Sequence, residues 1–254
     1  MDMQLKGKRA LVTGGTRGIG RAIAFAFAEE GTDVAICARD AVAVARTVAA
    51  LKAKGVNAYG RLVDVTDAGA LAEFVHDAAA NLGGLDCAVA NASALASGAD
   101  EAAFRKAFEV DVMHTRTLAD AAMSYLEKSG TGSFTAIASV SGSEDYGYED
   151  AAYGAMKAAL LFYIKSMARF VAAKGVRANV VSPGMTYFKD GFWHKVEENS
   201  PDDFAAALAA SPMKRLAKPE EIANAVVFLA SAAAGFVSGV NLVVDGTLTR
   251  RIQN

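Results

Sequence analysis

The stretch TGGTRGIG at residues 13–20 decides the fold of this 254-residue chain. An apolar run at residues 9–13 leads into it, and a helical pattern follows from Ile19. Glycines here let the backbone come close to a bound group, and the helix N-terminus presents free N–H groups and its positive dipole end to an anion. The stretch predicts a strand–turn–helix unit that binds a phosphate group, although a tight turn without a ligand fits the same residues.

Strand-like apolar runs alternate with longer helical patterns along the chain. The runs lie at residues 9–13, 33–38, 57–63, 86–90, 133–139, 177–182 and 241–244. The helical patterns lie between them, at residues 19–30, 41–54, 68–81, 101–128, 151–174 and 219–231. This alternation predicts an α/β fold of the doubly wound Rossmann type, in which helices cover both faces of a mostly parallel, seven-stranded sheet.

One segment interrupts the alternation. Residues 184–216 contain aromatic and charged residues and two prolines but no clean strand. An irregular segment of this length in a compact domain is usually functional, often as a lid over a site. We therefore expect residues 1–254 to form a single domain with a lid at residues 184–216.

Composition and charge argue against several classes of protein. The chain is 53% hydrophobic and 21% charged, which is typical of a globular protein, and its net charge of -2 indicates neither a nucleic-acid partner nor an anionic membrane surface. Residues 226–244 carry no charge, but glycines, serines and an asparagine interrupt them. This pattern favours a helix end, a turn and a strand over a membrane span. The polar N-terminus predicts no signal peptide.

The two cysteines are expected to be unpaired. Cys37 and Cys87 fall in predicted strands that a third strand separates in the usual doubly wound order. That separation is roughly 10 Å, which is too far for a disulfide. Buried, unpaired cysteines are typical of a reducing compartment, so we expect a cytoplasmic protein.

A second motif, YGAMK at residues 153–157, lies on a predicted helix in mid-chain. Residues four apart share a helix face, so Tyr153 and Lys157 can point into one cleft. Together with TGGTRGIG, this pair resembles the short-chain dehydrogenase/reductase family. The resemblance covers nearly the whole chain, including PEEIA at residues 219–223 and VVDG at residues 243–246. It implies a nicotinamide cofactor and hydride transfer.

The resemblance implies catalytic roles for four residues. Tyr153 would protonate a carbonyl oxygen, its pKa lowered from about 10 by the ammonium of Lys157 and the charge of the nicotinamide. Lys157 would also bind the ribose hydroxyls. Ser139, at the end of a strand, would polarise the carbonyl, and Ser141 is the other candidate. Asp111 stands where the family usually has asparagine, and its charge could stabilise the Lys157 ammonium or mark a protein with slow or altered chemistry.

Two arginines favour NADP(H) as the cofactor. NAD-preferring members of the family usually have an acidic residue at the end of the second strand, where this chain has Ala38 followed by Arg39. A guanidinium suits a phosphate dianion, and Arg17 adds a second charge in the glycine turn. Asp40 is expected to cap the next helix. The cofactor contacts that the resemblance implies are Gly14, Thr16, Arg17, Gly18, Ile19, Gly20, Arg39, Asp64, Val65, Asn91, Tyr153, Lys157, Pro183, Gly184 and Thr186.

The predicted lid is rich in aromatic residues and includes the single tryptophan. This indicates an apolar or aromatic substrate pocket, although the same residues could pack the lid onto the body or fill a subunit interface. Phe188 also has the usual spacing of the family's carboxamide contact. The histidines show no metal-ligand spacing, so no metal is expected. Substrate contacts are expected at Ser141, Tyr146, Tyr148, Phe188, Phe192 and Trp193.

The sequence thus predicts a carbonyl reductase or alcohol dehydrogenase that uses NADP(H) and acts on a small-molecule ketone or secondary alcohol. Most members of the family are tetramers, so we expect a homotetramer. The pattern resembles the branch that contains 3-oxoacyl-carrier-protein reductases, which makes a 3-oxoacyl-thioester reductase the alternative. Asp111 motivates an alternative of another class, an NADP(H)-binding sensor or structural subunit with little catalysis.

Overall fold

A parallel sheet of seven strands forms the centre of the molecule. The computed structural model describes residues 2–252, except for the side chain of Tyr148. The strands are β1 (Arg9–Thr13), β2 (Asp33–Ala38), β3 (Ala58–Leu62), β4 (Cys87–Ala90), β5 (Ser133–Ile137), β6 (Arg177–Pro183) and β7 (Asn241–Val244). Their order is β3-β2-β1-β4-β5-β6-β7, and every pair is parallel. The predicted fold is confirmed, with strand ends that differ from the predicted ones by two residues at most.

Helices cover both faces of this sheet. They are α1 (Gly18–Glu29), α2 (Ala41–Lys52), α3 (Ala68–Leu82), α4 (Glu101–Ala107), α5 (His114–Ser129), α6 (Ala151–Val171), α7 (Phe192–Asn199), α8 (Pro201–Ala210) and α9 (Pro219–Ala230). One face packs against α3, α5 and α6 through a core that includes Phe74, Leu118 and Ile164. The other packs against α1 and α9 through Phe27 and Val226. Burial on both faces explains why the strands are continuously apolar.

The predicted helix at residues 101–128 is present, but it is not α-helical throughout. A π-helical turn (Phe108–Met113) separates α4 from α5. The side chain of Thr115 donates to the carbonyl of Asp111, with Oγ1 and O 2.6 Å apart, and the ring of His114 contacts the carbonyl of Val110. Because apolar periodicity does not reveal such side-chain contacts, the wider turn was not predictable. Wide turns of this kind are frequent at functional sites.

The segment at residues 184–216 contains two short helices that the sequence did not predict, α7 and α8. It has no strand of its own, and an isolated parallel bridge pairs Thr186 with Ala217. The eight described residues of α7 are all at least partly exposed, and α8 buries Ala207 alone. This segment therefore lies on the body of the protein with little core of its own.

Two further expectations are confirmed. Cys37 on β2 and Cys87 on β4 are buried and unpaired, with β1 between their strands. Residues 226–244 form the end of α9, a turn and β7. Among residues 2–252, no helix combines the length and the apolar character that crossing a membrane requires.

Candidate active site

The glycine turn between β1 and α1 lies where the strand order reverses, at the carboxyl edge of the sheet. In doubly wound folds this is where a crevice opens for a ligand. Gly18 has a φ of +50°, and a Cβ there would come within 2.5 Å of the ring of Phe188. A Cβ on Gly20 would collide with the side-chain nitrogen of Asn91 and the carbonyl oxygen of Gly14. The turn therefore requires glycine at both positions.

Asn91 braces this turn. Its Nδ2 donates to the carbonyl oxygens of Thr13 and Gly14, at 2.9 and 3.3 Å. Its backbone N–H donates to Thr13 Oγ1 at 3.0 Å. Asn91 thus links the end of β4 to the end of β1. Its predicted contact with a cofactor remains a prediction.

Arg17 lies in the glycine turn, and Arg39 follows the end of β2. Both are exposed, and within residues 2–252 neither guanidinium takes part in an ion pair. Asp40 caps α2 through the N–H groups of residues 42 and 43, which confirms its predicted role. Hydrogen bonds from Thr66 hold the pKa of Asp64 below its ordinary value, and the charge of Arg39 adds to this effect. Arg39 therefore lies near Asp64 at the ends of β2 and β3.

Lys157 and Asp111 form a buried ion pair at the same edge. Lys157 Nζ lies 2.9 Å from Asp111 Oδ1, and each residue is only 1% exposed. The approach lies outside hydrogen-bond geometry, and Nζ donates instead to the carbonyl oxygen of Ile137 at 2.9 Å. Burial disfavours the ammonium, but the charge of Asp111 keeps the pKa of Lys157 above its ordinary value. Asp111 Oδ2 also accepts a hydrogen bond from Ala94 N at 3.1 Å.

Tyr153 and Ser139 meet beside this pair. Tyr153 is half-buried, and its ring centroid lies 5.5 Å from Lys157 Nζ. Burial raises the pKa of Tyr153, whereas the ammonium of Lys157 and a hydrogen bond with Ser139 lower it. Asp111 and Asp150 also raise this pKa, and the net shift is upward. The predicted lowering by the ammonium of Lys157 is confirmed, but in the protein alone burial and the two carboxylates outweigh it.

The two candidate serines have different surroundings. Ser139 Oγ faces Tyr153 and accepts a hydrogen bond from the backbone N–H of Ser141 at 3.2 Å. Burial raises the pKa of Asp150, and the hydroxyl of Ser141 opposes this shift. Ser139, and not Ser141, thus contributes to the pKa of Tyr153.

The remaining predicted cofactor residues lie in the turn, after β3 or at the end of β6. Thr186 is buried, and its hydroxyl donates to the carbonyl oxygen of Gly184 at 3.1 Å. Pro183 pairs with Val244 in the sheet. Thr16 and Ile19 are half-buried and Val65 is buried.

The predicted substrate residues do not share one wall. Phe188 packs against Gly18, so its ring lies on the glycine turn. Phe192 and Trp193 contact each other edge to face, with ring centroids 5.3 Å apart. Tyr146 is about half exposed on the loop before α6. The side chain of Tyr148 lies outside the described part of the structure.

His114 is the residue of this site that the sequence did not indicate. It is buried at the start of α5, and its ring lies between Thr13 and Val110. A lone histidine without ligand spacing gives no signal of such a position, because both of its contacts depend on the tertiary fold.

A switch-point crevice with a glycine turn, flanked by clustered serine, tyrosine and lysine side chains, defines a dinucleotide-binding oxidoreductase. The family model described as enoyl-(acyl carrier protein) reductase matches residues 14–249. Isoepoxydon dehydrogenase patN of Penicillium expansum is 38% identical over 247 residues, which are 95% of this chain and 95% of that protein. The chain belongs to the short-chain dehydrogenase/reductase family.

Solved structures agree with this assignment. L-sorbose reductase from Gluconobacter frateurii, complexed with NADPH and L-sorbose, superposes with a TM-score of 0.92 at 31% identity and covers 99% of this chain and 100% of that one. A 7α-hydroxysteroid dehydrogenase complexed with NADH and 7-oxo glycochenodeoxycholic acid gives 0.90 at 30% identity, over 97% and 96% of the two chains. The protein is thus an oxidoreductase of this family.

Proposed function

We propose that this protein transfers hydride between NADP(H) and a ketone or secondary alcohol whose body is apolar or aromatic. The observation that carries the proposal is the cluster of Ser139, Tyr153 and Lys157 at the carboxyl edge of the sheet, beside a turn that only glycines permit. The turn fits a pyrophosphate, because it leads directly into the N-terminus of α1, and its tight course leaves no room for a Cβ at Gly18 or Gly20. When bound there, the nicotinamide would supply or accept the hydride.

Each catalytic side chain has a role that its surroundings support. Tyr153 is protonated at neutral pH, as an ordinary phenol is, so it can donate a proton to a carbonyl oxygen. Ser139 holds that oxygen with a second hydrogen bond. Lys157 provides positive charge under the ring of Tyr153, and Asp111 keeps Lys157 charged in its buried position.

The preference for NADP(H) rests on Arg17 and Arg39. Relatives of known structure bind either nicotinamide cofactor, since one holds NADPH and another NADH. Two exposed guanidinium groups without ion-pair partners within residues 2–252, one in the turn and one after β2, suit the extra phosphate of NADP(H). Arg39→Ala should weaken NADPH binding by roughly 10- to 100-fold and leave NADH binding within about twofold, as expected for loss of a charge-assisted hydrogen bond. Arg46→Ala, an exposed position on α2, is the control. Equal losses for the two cofactors would refute the assignment.

The proposed preference for an apolar or aromatic substrate rests on the aromatic side chains in the segment at residues 184–216. Phe192 and Trp193 contact each other on α7, and the ring of Phe188 lies against the glycine turn. Such rings suit an apolar or ring-containing substrate. A 7-oxo steroid is the ligand in one related structure, which supports this size and polarity.

A homotetramer completes the proposal. Phe162 and Phe170 on α6 and Phe236 before β7 are large apolar residues with more than two thirds of their surface exposed. Exposed apolar residues of this size are typical of subunit contacts. Light scattering after size exclusion tests this; a monomer would contradict it.

The test of the activity is loss of NADPH absorbance, against an NADH control, across aliphatic, aromatic and 3-oxoacyl-thioester ketones. Turnover of an aromatic or cyclic ketone with NADPH supports the proposal, and a preference for the thioester favours the 3-oxoacyl reductase. NADPH binding without turnover of any ketone would favour a sensor or structural subunit.

A further inference from the structure

His114 holds together two parts of the site that are distant in sequence. Its ring is buried, with 1% of the residue exposed. Nδ1 lies 2.9 Å from the carbonyl oxygen of Val110, the residue before Asp111. Nε2 lies 2.9 Å from Thr13 Oγ1, at the end of β1 where the glycine turn begins. The ring therefore spans the gap between the π-helical turn and β1.

The hydrogen bonds around the ring determine its tautomer. The carbonyl of Val110 can only accept, so Nδ1 must carry the hydrogen. Thr13 Oγ1 already accepts from the N–H groups of Asn91 and Ala92, at 3.0 and 3.2 Å. Its own hydrogen is thus available for Nε2, because the carbonyl of Val89, the other acceptor within reach among residues 2–252, lies farther away at 3.4 Å. A neutral ring with hydrogen on Nδ1 satisfies every group.

A protonated ring would not fit this arrangement. A hydrogen on Nε2 would point at Thr13 Oγ1, which already accepts two N–H groups. Burial lowers the pKa of His114 to about 4, in agreement with a neutral ring. Asp111 raises this pKa and Lys157 lowers it, so the neighbouring ion pair acts on the ring with opposing charges.

These bonds close into a ring of contacts. Thr13 bonds to His114, which bonds to Val110, and the adjacent Asp111 accepts from Ala94 N at 3.1 Å. Residues 91–94 then return to Thr13 through the N–H groups of Asn91 and Ala92. The closed ring joins the start of the glycine turn, the loop after β4 and the partner of Lys157.

We propose that His114 is a positioning residue that sets the distance between the glycine turn and the Asp111–Lys157 pair. The proposal rests on the proposed function, because it assigns cofactor binding to one end of the ring and proton chemistry to the other. The link to Thr13 holds the turn in the shape that binds NADPH. The link to Val110 holds Asp111, and through it Lys157, in register with Tyr153.

Three variants separate the two links. His114→Asn keeps a side-chain nitrogen near the position of Nδ1, and His114→Gln extends an amide oxygen toward the position of Nε2. His114→Phe fills the same volume but forms neither bond. His76→Phe, an exposed position on α3 whose ring bonds to Tyr125, is the matched control.

The readouts are the dissociation constant of NADPH by fluorescence and kcat at saturating NADPH. His114→Asn should bind NADPH about tenfold more weakly with kcat nearly unchanged, the size expected when a buried group loses its partner. His114→Gln should show the reverse, with NADPH binding retained and kcat reduced about tenfold. His114→Phe should show both losses, and His76→Phe neither.

Other outcomes would overturn the proposal. Variants that are less stable but keep both constants would reduce His114 to a purely structural residue. Equal losses of NADPH binding and kcat in His114→Asn and His114→Gln would show that the Thr13 link and the Val110 link do not have separate effects. If the His114 variants do not fold, Thr13→Val and Thr13→Ser are measured instead. Weaker NADPH binding by Thr13→Val, but not by Thr13→Ser, supports the link to Thr13. Unchanged NADPH binding by Thr13→Val refutes it. NADPH binding is measured without substrate, so this result can be interpreted even if no ketone substrate is found.

Discussion

The buried side of the crevice and the segment at residues 184–216 are built in opposite ways. On the buried side, Asp111, His114 and Lys157 are each 1% exposed, and nearly all of their polar atoms have partners. On the other side, α7 buries none of its described residues and Phe192 is 56% exposed. On α7, the ring of Phe192 contacts the ring of Trp193.

This difference suggests that the buried side carries the chemistry and that residues 184–216 carry the substrate specificity. A buried polar cluster with satisfied hydrogen bonds has one favourable arrangement, and any change leaves a charge or a donor without a partner. An exposed segment with little core can be altered at small cost to stability and is among the first parts of a protein to open. We therefore expect substitutions on the buried side to affect catalysis and stability strongly, and substitutions on the exposed side to affect substrate affinity.

Tyr153→Phe should give the largest effect. Loss of the proton donor is expected to reduce kcat by about a thousandfold, within the range of general acid catalysis. NADPH binding should change by less than about twofold, since the phenyl ring keeps the shape of the site. Steady-state kinetics and NADPH fluorescence measure the two quantities. Activity that survives the change would show that another group donates the proton.

Lys157→Met should give the next largest effect, and it tests the buried side directly. The change leaves the carboxylate of Asp111 buried without its cation, which should lower the free energy of unfolding by about 3 kcal/mol. Urea denaturation at neutral pH measures it. Lys165→Met is the matched control, because Lys165 is an exposed residue of the same helix; its loss should stay below about 0.5 kcal/mol. Similar losses in both variants would contradict a special role for the buried pair.

The pH dependence of stability sharpens the comparison further. Burial lowers the pKa of His114 from 6.5 to about 4, so the unfolded chain binds this proton first as the pH falls. Stability is therefore fully present above pH 6.5 and is lost between pH 6.5 and 4. From pH 7 to pH 5 this residue should account for a loss of about 2 kcal/mol.

His114→Phe, which has no titrating ring, should lack this part of the pH dependence. Urea denaturation of both proteins at pH 7 and pH 5 measures the difference. Parallel curves for wild type and variant would show that the ring is not buried in neutral form.

Phe192→Ala should give the smallest effect. Removing an exposed ring of α7 is expected to raise KM for the substrate by roughly threefold through lost apolar contact. Stability and kcat should be nearly unchanged. Leu62→Ala, a similarly exposed apolar position at the end of β3, controls for removal of surface apolar area. A loss of stability in Phe192→Ala comparable to that of Lys157→Met would remove the contrast between the two sides.

The parts of the fold that repeat a local pattern were predictable. Strand–helix alternation gave the seven-stranded parallel sheet, and the spacing of Tyr153 and Lys157 placed both side chains on one helix face. The cap formed by Asp40 was also predictable, because a cap involves residues two or three positions apart. Each of these features depends on neighbours in the chain.

The features that escaped prediction involve residues far apart in sequence. The π-helical turn before His114 coincides with contacts of that ring, and the ring itself reaches Thr13, 101 positions away. Phe188 came to lie against Gly18 through the path of an irregular segment. The raised pKa of Tyr153 also depends on burial and on two carboxylates, which spacing does not report.

The sequence by itself determined the class of fold, the glycine turn and the presence of a tyrosine–lysine pair, because periodicity and backbone freedom act over a few residues. Only the tertiary structure decided which serine meets Tyr153, that Asp111 pairs directly with Lys157, and that His114 joins the turn to that pair. The physical reason is that burial and long-range hydrogen bonds form only when the strands are assembled into a sheet, where the protonation state of each group is set by neighbours that the chain brings from elsewhere.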